Sequence, residues 1–352
     1  MGDIPLIGIM VPSRKQQKKI LQIYSRYKGD LMIDLFCFIP NDINWGKHKI
    51  KGVYLKDNTC ETKMFRFPDA IYNRCYQRRA KTIRRLEKYI GENKCFNHIT
   101  YFNKWRVCEA LSSTELDKYI PKTWLYKPEV FMKELTKEKR LILKPSYGSL
   151  GKQIYLVELT EGYMINVYQD TILPRYTFND KKVLFQKLNE LIGEKNYIFQ
   201  KAIEMEKVDG KIIDLRILVQ KDINGNWVVT NGVSRVAPYN FFITNCCEVI
   251  LKMEEVLETL ISDSFERSFF LQEIYKTCIK AARKLEEKIG LLGEVGIDMA
   301  IDKKGHLWIL EVNGKIQKSM YHMMDNSHDD EDVSLIYQRP LEYAYYLSQN
   351  KG

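Results

Sequence analysis

The sequence contains no long run of apolar residues. A membrane-spanning helix needs about 18 or more consecutive apolar residues, and no segment of the 352 residues approaches that length. The apolar stretch at residues 4–11 has no basic region before it and is followed at once by Pro12 and Arg14. A signal peptide requires that basic region. We therefore expect a first β-strand here, no membrane partner and a cytoplasmic protein.

Cysteine patterns that bind metals are also missing. The chain has eight cysteines, including the neighbours Cys246 and Cys247, but no Cys-x-x-Cys pair and no spacing typical of zinc sites. We predict reduced thiols without a chemical role, as is usual in a reducing compartment. The sequence has neither a Walker loop nor the glycine pattern of dinucleotide-binding folds, and no internal repeat.

Acidic residues are fewer than basic ones. The chain has 55 Lys and Arg against 45 Asp and Glu, a formal net charge of +10 and a pI near 9.0. This balance favours anionic partners without choosing among nucleotides, acidic substrates and nucleic acid. The densest basic stretch has Arg74, Arg78, Lys81, Arg85 and Lys88 at helical spacing. Because no nucleic-acid-binding module accompanies it, we predict a solvated helix face and no nucleic-acid partner.

The residues that are present have the composition of a globular protein, 45% hydrophobic and 12% aromatic. Strand and helix patterns alternate, which predicts an α/β fold. They divide the chain into a small N-terminal α/β domain at 1–98, a middle lobe with a glycine-rich loop at 99–201, and a C-terminal lobe at 202–352. The C-terminal lobe has long strands and predicted helices between residues 248 and 289.

The most informative segment is a predicted β-hairpin at 294–313. Residues 294–301 and 306–313 alternate between apolar and polar side chains, and residues 302–305, Asp-Lys-Lys-Gly, are typical of a turn. This pattern predicts a register in which Ile301 pairs with His306.

That register places three oxygen-bearing side chains on one face of the hairpin. Asp298 would lie opposite Ile309, and Glu311 and Asn313 would share its face because side chains alternate along a strand. Two carboxylates and a carboxamide suit Mg²⁺, which prefers oxygen ligands. The alternative is an exposed acidic face without function. The opposite, core face would hold Val295, Ile297, Met299, Trp308, Leu310 and Val312.

A second segment, residues 141–158, has the pattern strand, lysine, small-residue loop, strand. Small residues let backbone amides approach an anion, and Lys144 at the strand end supplies a positive charge. A glycine-rich turn without a ligand is an equally good interpretation. The loop residues that could bind phosphate are Ser146, Gly148, Ser149 and Gly151.

Two further segments could complete a site. The strand at 197–200 leads into a polar turn at which Ile203 could pack on a purine ring. Arg216 and Arg235 lie on neighbouring predicted strands, and two guanidinium groups suit a phosphoryl group or a carboxylate. Asp214 and Arg216 could instead form a surface ion pair.

The order of these segments resembles the ATP-grasp superfamily over residues 101–320. Within it, the sequence is similar to the YheC/YheD-like family associated with endospore-forming bacteria, and more distantly to RimK-type glutamate ligases. The resemblance is carried by the motifs FPDAIYNR, LKPSYGSLGKQI, FQKAI, DLRILVQK, NGVSRVA and GIDMAID followed by ILEVNGK.

The resemblance implies ATP and Mg²⁺ as cofactors and a role for each candidate residue. Ser146 to Gly151 would form a phosphate lid, and Glu206 or Asp209 would contact the ribose. Arg216 and Arg235 would stabilise the γ-phosphate and an acyl-phosphate. The remaining roles are phosphate binding by Lys104 and Lys144, adenine binding by Gln200, Lys201 and Ile203, and magnesium binding by Asp298, Glu311 and Asn313.

Two departures from the family pattern affect the substrate side. Relatives often have an Asn and a Gly-Gly stretch after the second arginine, whereas here Thr244-Asn245 is followed by Cys246-Cys247-Glu248. Asn245 could still belong to the site. The metal motif continues as Asn313-Gly314-Lys315-Ile316, without the proline that relatives commonly have after the lysine.

The resemblance implies an ATP-dependent ligase that joins a carboxylate to an amine and releases ADP and phosphate. A small-molecule kinase with the same fold, and a non-catalytic spore-associated protein that retains it, are the alternatives. The excess of basic over acidic residues favours anionic small-molecule or peptide substrates. A homodimer would be unsurprising.

Overall fold

The described part of the chain is built on three β-sheets that follow one another in sequence. The computed structural model describes residues 3–76, 80–160, 164–322 and 331–350. The predicted α/β class is confirmed. Within these ranges no helix is long and apolar enough to cross a membrane. The helices are α1 (Arg14–Arg26), α2 (Ala80–Ile90), α3 (Lys104–Ser112), α4 (Pro128–Glu138), α5 (Lys181–Ile192), α6 (Met253–Leu260), α7 (Ser264–Ile289) and α8 (Glu331–Gln349).

The first sheet has the order β3-β4-β2-β1-β6-β7, with β5 paired to β4. Strand β1 is parallel to both of its neighbours and buried along its whole length, as expected for a strand covered on both faces. Helices α1 and α8 pack on one face and α2 on the other. Its strands are β1 (Leu6–Met10), β2 (Asp34–Phe38), β3 (Ile43–Asn44), β4 (Lys49–Lys56), β5 (Thr59–Arg66), β6 (Ala70–Asn73) and β7 (Cys95–Phe96).

The basic stretch beside this sheet is not one continuous helix. Helix α2 begins only at Ala80. Arg74 precedes the helix and packs over the rings of Tyr24 and Tyr72, and Arg78 lies outside the described residues. The prediction of a single basic helix face that begins at Arg74 is therefore wrong at its N-terminal end.

The second sheet is antiparallel, with the order β12-β11-β10-β9-β13-β8. Helices α4 and α5 cover one face through Phe131, Leu135, Leu184 and Leu188. The glycine-rich loop connects two adjacent strands, β9 and β10. The strands are β8 (Thr123–Leu125), β9 (Arg140–Pro145), β10 (Tyr155–Leu159), β11 (Ile165–Tyr168), β12 (Pro174–Phe178) and β13 (Tyr197–Lys201).

The third sheet has the order β17-β16-β15-β18-β19, with β14 paired to β15. Helices α3 and α7 cover its apolar face. The predicted helical stretch from residue 248 is wrong at its start, because β17 precedes α6. The domain limits at 98 and 201 remain predictions. The strands are β14 (Lys207–Val208), β15 (Lys211–Lys221), β16 (Trp227–Val236), β17 (Val249–Lys252), β18 (Glu294–Ile301) and β19 (Leu307–Asn313).

The predicted register of the β18–β19 hairpin is wrong. Ile301 pairs with Leu307, not with His306. The reason is the turn: the Asp302 carboxylate accepts the backbone N–H groups of Lys304 and His306 at 2.9 and 3.0 Å, which keeps His306 in the turn.

A β-bulge then restores the predicted charged face. Asp298 pairs with Glu311 rather than Ile309, because Leu310 is left without an opposite residue. Asn313 pairs with Gly296. Leu307 and Ile309, rather than Trp308 and Leu310, therefore fill the core beside Val312.

Candidate active site

Charged residues form a row across four strands of the third sheet. Asp214 on β15 pairs with Arg235 on β16, while Arg216 on β15 pairs with Asp298 on β18, which in turn pairs with Glu311 on β19. Directly paired residues point to the same face of a sheet. The five side chains of this charged row therefore lie together on the face opposite α7.

The two arginines are held by carboxylates on neighbouring strands. Arg235 Nε donates to Asp214 Oδ1 at 2.8 Å, and Arg235 Nη2 donates to Asp298 Oδ2 at 3.0 Å. Arg216 Nη2 donates to the same Asp298 oxygen at 2.7 Å. All four side chains are buried. The alternative of a surface pair between Asp214 and Arg216 is therefore wrong.

This pairing keeps Asp298 ionised. Burial alone would raise the pKa of its carboxyl, but Arg216 and Arg235 outweigh burial and hold the pKa below its ordinary value. Burial lowers the pKa of each arginine, and the carboxylates outweigh it so that both values are raised. Charges fixed in a buried site stabilise charge that develops on a substrate, because they need no reorganisation.

Two lysines extend the positive charge around Glu311. Lys104 Nζ lies 3.0 Å from Glu311 Oε1 and donates to the Gly148 carbonyl at 3.1 Å. Lys144 Nζ donates to the Leu310 carbonyl at 3.2 Å, and burial lowers its pKa. The two arginines of the charged row and the two lysines make four cations, whereas the row contains three carboxylates, those of Asp214, Asp298 and Glu311. The excess of one positive charge favours an anionic ligand.

Lys104 is positioned by its helix cap. The side chain of Asn103 accepts the Arg106 N–H at 3.1 Å, which starts α3 at Lys104. The backbone N–H of Lys104 donates to the Ser146 carbonyl at 2.8 Å. The helix start and the glycine-rich loop are thus joined directly.

The glycine-rich loop is anchored at both ends. Ser146 is buried, its N–H donates to the Asn196 carbonyl at 2.8 Å, and its hydroxyl oxygen has no hydrogen-bond partner among the described residues. Gly151 has φ +68°, and a Cβ there would lie 2.8 Å from Asn245 Cβ. Glycine is therefore required at 151, both for the backbone and for the contact. Ser149, between these anchors, is exposed.

The predicted adenine-binding residues lie at the C-terminal end of β13 in the second sheet and just beyond it. The Gln200 side chain donates to Thr123 Oγ1 at 2.7 Å, and Lys201 pairs with Glu138 at 2.8 Å. Ile203 is half-buried. Since the two polar side chains already have protein partners, the backbone and Ile203 are the groups best placed for a base.

Most of these residues line a cleft between the second and third sheets, here called the inner cleft. Both sheets contribute to it, and so does the segment at 242–245. Glu206 and Asp209 do not line it. Its predicted site residues are Lys144, Gln200, Lys201, Ile203, Arg235, Asp298 and Glu311.

A second cavity, the outer cavity, continues from the inner cleft. The two share Arg235, Asn245 and Glu311. The outer cavity is lined in addition by Ser149, Arg216, Asn313, Lys315 and the segment at 247–250. The charged row therefore faces two connected spaces.

Thr244 is a site residue that local sequence patterns could not identify. Its Oγ1 donates to Asp214 Oδ2 at 2.6 Å, a contact between segments that are distant in sequence. Asn245, which the sequence left open as a site residue, lines both cavities and contacts Gly151.

Comparison with known proteins identifies the family. A family model described as YheC/D like ATP-grasp matches residues 92–347. The chain belongs to this family. The ATP-grasp chain is 26% identical over 330 residues to the endospore coat-associated protein YheD of Bacillus subtilis (strain 168), covering 89% of this chain and 71% of that protein. It is 23% identical to YheC of the same organism, covering 97% and 95%.

A solved structure confirms the ATP-grasp fold. The ATP-grasp ligase PsnB, complexed with a phosphomimetic variant of its minimal precursor, Mg and ADP, superposes with a TM-score of 0.54 and 15% identity. The match covers 97% of this chain and 99% of PsnB. At this identity the likeness shows the fold alone.

The donor set of this ATP-grasp protein fits magnesium bound together with a nucleotide. Asp298, Glu311 and Asn313 offer two carboxylates and a carboxamide, and Mg²⁺ commonly takes its remaining ligands from water and phosphates. Over the described ranges there is no group of three or more His, Cys, Asp or Glu side chains that could hold a metal. Since Arg216, Arg235 and Lys104 already contact the carboxylates, a polyphosphate is needed to balance the added charge.

Proposed function

We propose that this ATP-grasp protein is an ATP-dependent ligase that activates a carboxylate as an acyl-phosphate and joins it to an amine. One observation carries the proposal: the inner cleft and the outer cavity meet at the charged row. A nucleotide in the inner cleft and a carboxylate in the outer cavity would both contact Arg235. The fold of PsnB supports a ligase, as does the name of that protein.

The inner cleft and the residues next to it would supply the groups for ATP. Ile203 and the neighbouring backbone would hold adenine, and Lys104 and Lys144 would contact the phosphates. The loop from Ser146 to Gly151, with Gly148 and Ser149, would cover them. Asp298, Glu311 and Asn313 would hold Mg²⁺, which when bound neutralises charge on the phosphate oxygens.

The chemistry needs no nucleophile from the protein. An oxygen of the substrate carboxylate attacks the γ-phosphorus of ATP, the bond to the β-phosphate oxygen breaks, and ADP leaves. Arg216 and Arg235 neutralise charge that spreads over the transferring oxygens. The amine then attacks the acyl carbon, loses a proton to solvent, and phosphate leaves. The protein contributes positioning and electrostatic stabilisation.

The substrates follow from charge and from relatives. The excess positive charge favours an anionic small molecule or peptide, and PsnB was also solved with the precursor peptide PsnA2 and AMPPNP. A cytoplasmic location and a homodimer stay predictions. The relatives' names place YheC and YheD with the endospore coat, so a coat-associated role is the alternative location.

The test is ADP release in a screen of amino acids, dipeptides and polyamines. Glu311→Gln and Lys144→Ala should abolish ADP release while circular dichroism shows a folded protein. Glu92→Gln, an exposed control away from the site, should behave as the wild type. Wild-type turnover in either site variant contradicts the proposal.

Product mass separates the alternatives. A ligase gives a compound that contains both acid and amine, whereas a kinase gives a stable phosphoester. Calorimetric titration with MgATP addresses the non-catalytic alternative, since a protein that binds no MgATP cannot be either enzyme.

A further inference from the structure

One positively charged side chain of the outer cavity, that of Lys315, is not part of the charged row. Among the described residues, its ammonium group has no carboxylate within 4.0 Å and donates no hydrogen bond. The other charged lining residues are paired: Arg216 with Asp298, Arg235 with Asp214, Glu311 with Lys104, and Glu248 with Lys211.

The position of Lys315 is fixed by its surroundings. Its Nζ lies 4.2 Å from the centroid of the Tyr76 ring, a cation–π contact. Tyr76 in turn contacts Tyr101, with ring centroids 5.0 Å apart. At the preceding residue, a Cβ on Gly314 would lie 2.6 Å from the Phe102 ring, so the backbone is packed tightly there. The ammonium group is therefore presented to the cavity in a defined place.

The Lys315 side chain is exposed, so water partly screens an ion pair formed by its ammonium group. The attraction between opposite charges is still favourable there, although it is smaller than in a buried site. An anionic group that reached Lys315 would gain this attraction without displacing an existing carboxylate.

We propose that Lys315 and Tyr76 form a subsite for a second anionic group, a carboxylate or a phosphate, on the substrate whose reacting carboxylate lies at Arg216 and Arg235. This subsite rests on the proposed ligase function, because that function places the reacting carboxylate in the outer cavity. Lys315 is then a specificity-determining residue that selects dianionic substrates.

The test measures binding of small probes without nucleotide. The probes are glutarate, its mono-amide glutaramate, and 4-phosphonobutyrate, titrated by calorimetry. We expect the wild type to bind one or both dianions more tightly than glutaramate, and the tighter dianion identifies a carboxylate or a phosphate as the preferred group. Lys315→Met should weaken dianion binding by roughly two- to fivefold and leave glutaramate binding unchanged, because an ion pair at an exposed lysine contributes only this much to affinity.

Two control variants test whether the effect comes from the charge of Lys315 rather than from a change in the fold. Lys315→Arg keeps the charge and should retain most of the preference for dianions. Lys88→Met removes an exposed lysine on α2 and should bind all three probes as the wild type does. A wild type without preference for dianions, or a Lys315→Met protein that retains the preference, overturns the subsite.

The binding measurement and the ADP-release assay can fail independently, so loss of the subsite can be told apart from loss of the proposed ligase function. Lys315-dependent preference in a protein that never releases ADP keeps the subsite as a binding site and rejects the ligase. ADP release without any such preference keeps the ligase and rejects the subsite.

Discussion

At the scale of single residues, Asp214 shows how an arginine of the site is held in place. It lines the inner cleft beside Arg235 and accepts two hydrogen bonds from it, while Thr244 Oγ1 donates to the same carboxylate. The sequence pattern placed Asp214 and Arg216 on the same face of one strand. It left open whether these two side chains form an ion pair on the surface. Which arginine it binds depends on strand pairing, and that is a tertiary property.

Asp214→Asn should slow ADP release. The variant keeps the shape of the side chain but leaves Arg235 with a weaker partner, so the guanidinium group is less well oriented. Residues that orient an active-site group typically contribute about 10–100-fold. We expect this loss mainly in kcat, measured by steady-state ADP release, with a small change in KM for ATP.

The matched control for Asp214 lies on the same hairpin. Asp222, at the far end of β15 and β16, accepts the backbone N–H groups of Asn224 and Asn226 and is outside both cavities. Asp222→Asn should leave kcat unchanged. Equal kcat values for the two variants would show that Asp214 has no positioning role.

At the scale of elements, the sequence predicted strands and helices better than their pairing. The bounds predicted for the first hairpin strand, residues 294–301, agree with β18, because periodicity is a local property. The hairpin register is not local in this way. The Asp302 turn shifts it by one residue, and the bulge at Leu310 shifts it again. Strict alternation could not predict either change, and so it placed Trp308 and Leu310 in the core.

The glycine-rich loop shows the same limit. Its small residues predicted close approach to an anion, and the contact of Gly151 with Asn245 explains one of them within the protein itself. Asn245 follows the second arginine at a distance in sequence, beyond β16. Only the packing of the second sheet on the third brings the two residues together.

Gly151→Ala should impair ADP release more than stability. The added Cβ would lie 2.8 Å from Asn245 and requires a left-handed backbone, so the loop or Asn245 must move. Gly193→Ala is the matched control: its φ is +58°, but nothing lies within 4 Å. Both variants should lose more than about 1 kcal/mol in unfolding free energy, because alanine disfavours the positive φ of each position; urea denaturation measures the loss.

Only the Gly151 variant should show a raised KM for ATP. Because Gly193 lines neither cavity and a Cβ there meets nothing within 4 Å, a raised KM found only for Gly151→Ala points to the contact with Asn245. Matching KM values for Gly151→Ala and Gly193→Ala would mean that the contact does not position the phosphate loop.

At the scale of the whole molecule, a buried polar cluster joins the first sheet, the third sheet and α8. Glu294 on β18 accepts hydrogen bonds from Tyr72 on β6 and from Gln220 on β15, and pairs with Lys318 at 2.9 Å. Lys318 and Gln220 also donate to the Ile336 carbonyl of α8 at 2.8 and 3.0 Å. The resemblance gave no role to these residues, although Tyr72 and Gln220 lie within the motifs FPDAIYNR and DLRILVQK.

Glu294 should make the stability of the protein depend on pH in a defined direction. Burial alone would raise its pKa, but Lys318 and Arg74 outweigh burial and lower it from the ordinary value of 4.5. A carboxyl whose pKa is lower in the folded state stabilises that state above the unfolded pKa. This contribution is lost as the pH falls through the folded value. Glu294→Gln should therefore cost about 3–5 kcal/mol at pH 7, because it leaves a buried cation unpaired.

The difference in unfolding free energy between wild type and Glu294→Gln should shrink as the pH is lowered from about 5 to about 3. Urea denaturation across that range measures it, and the subtraction removes the titration of other carboxylates. Glu287→Gln, which breaks an exposed pair with Lys284, should cost less than about 1 kcal/mol. A wild-type advantage over Glu294→Gln that stays constant down to pH 3 would mean that Glu294 is not held ionised by the buried cluster. Its role in joining the two sheets to α8 would then rest on hydrogen bonds rather than on charge.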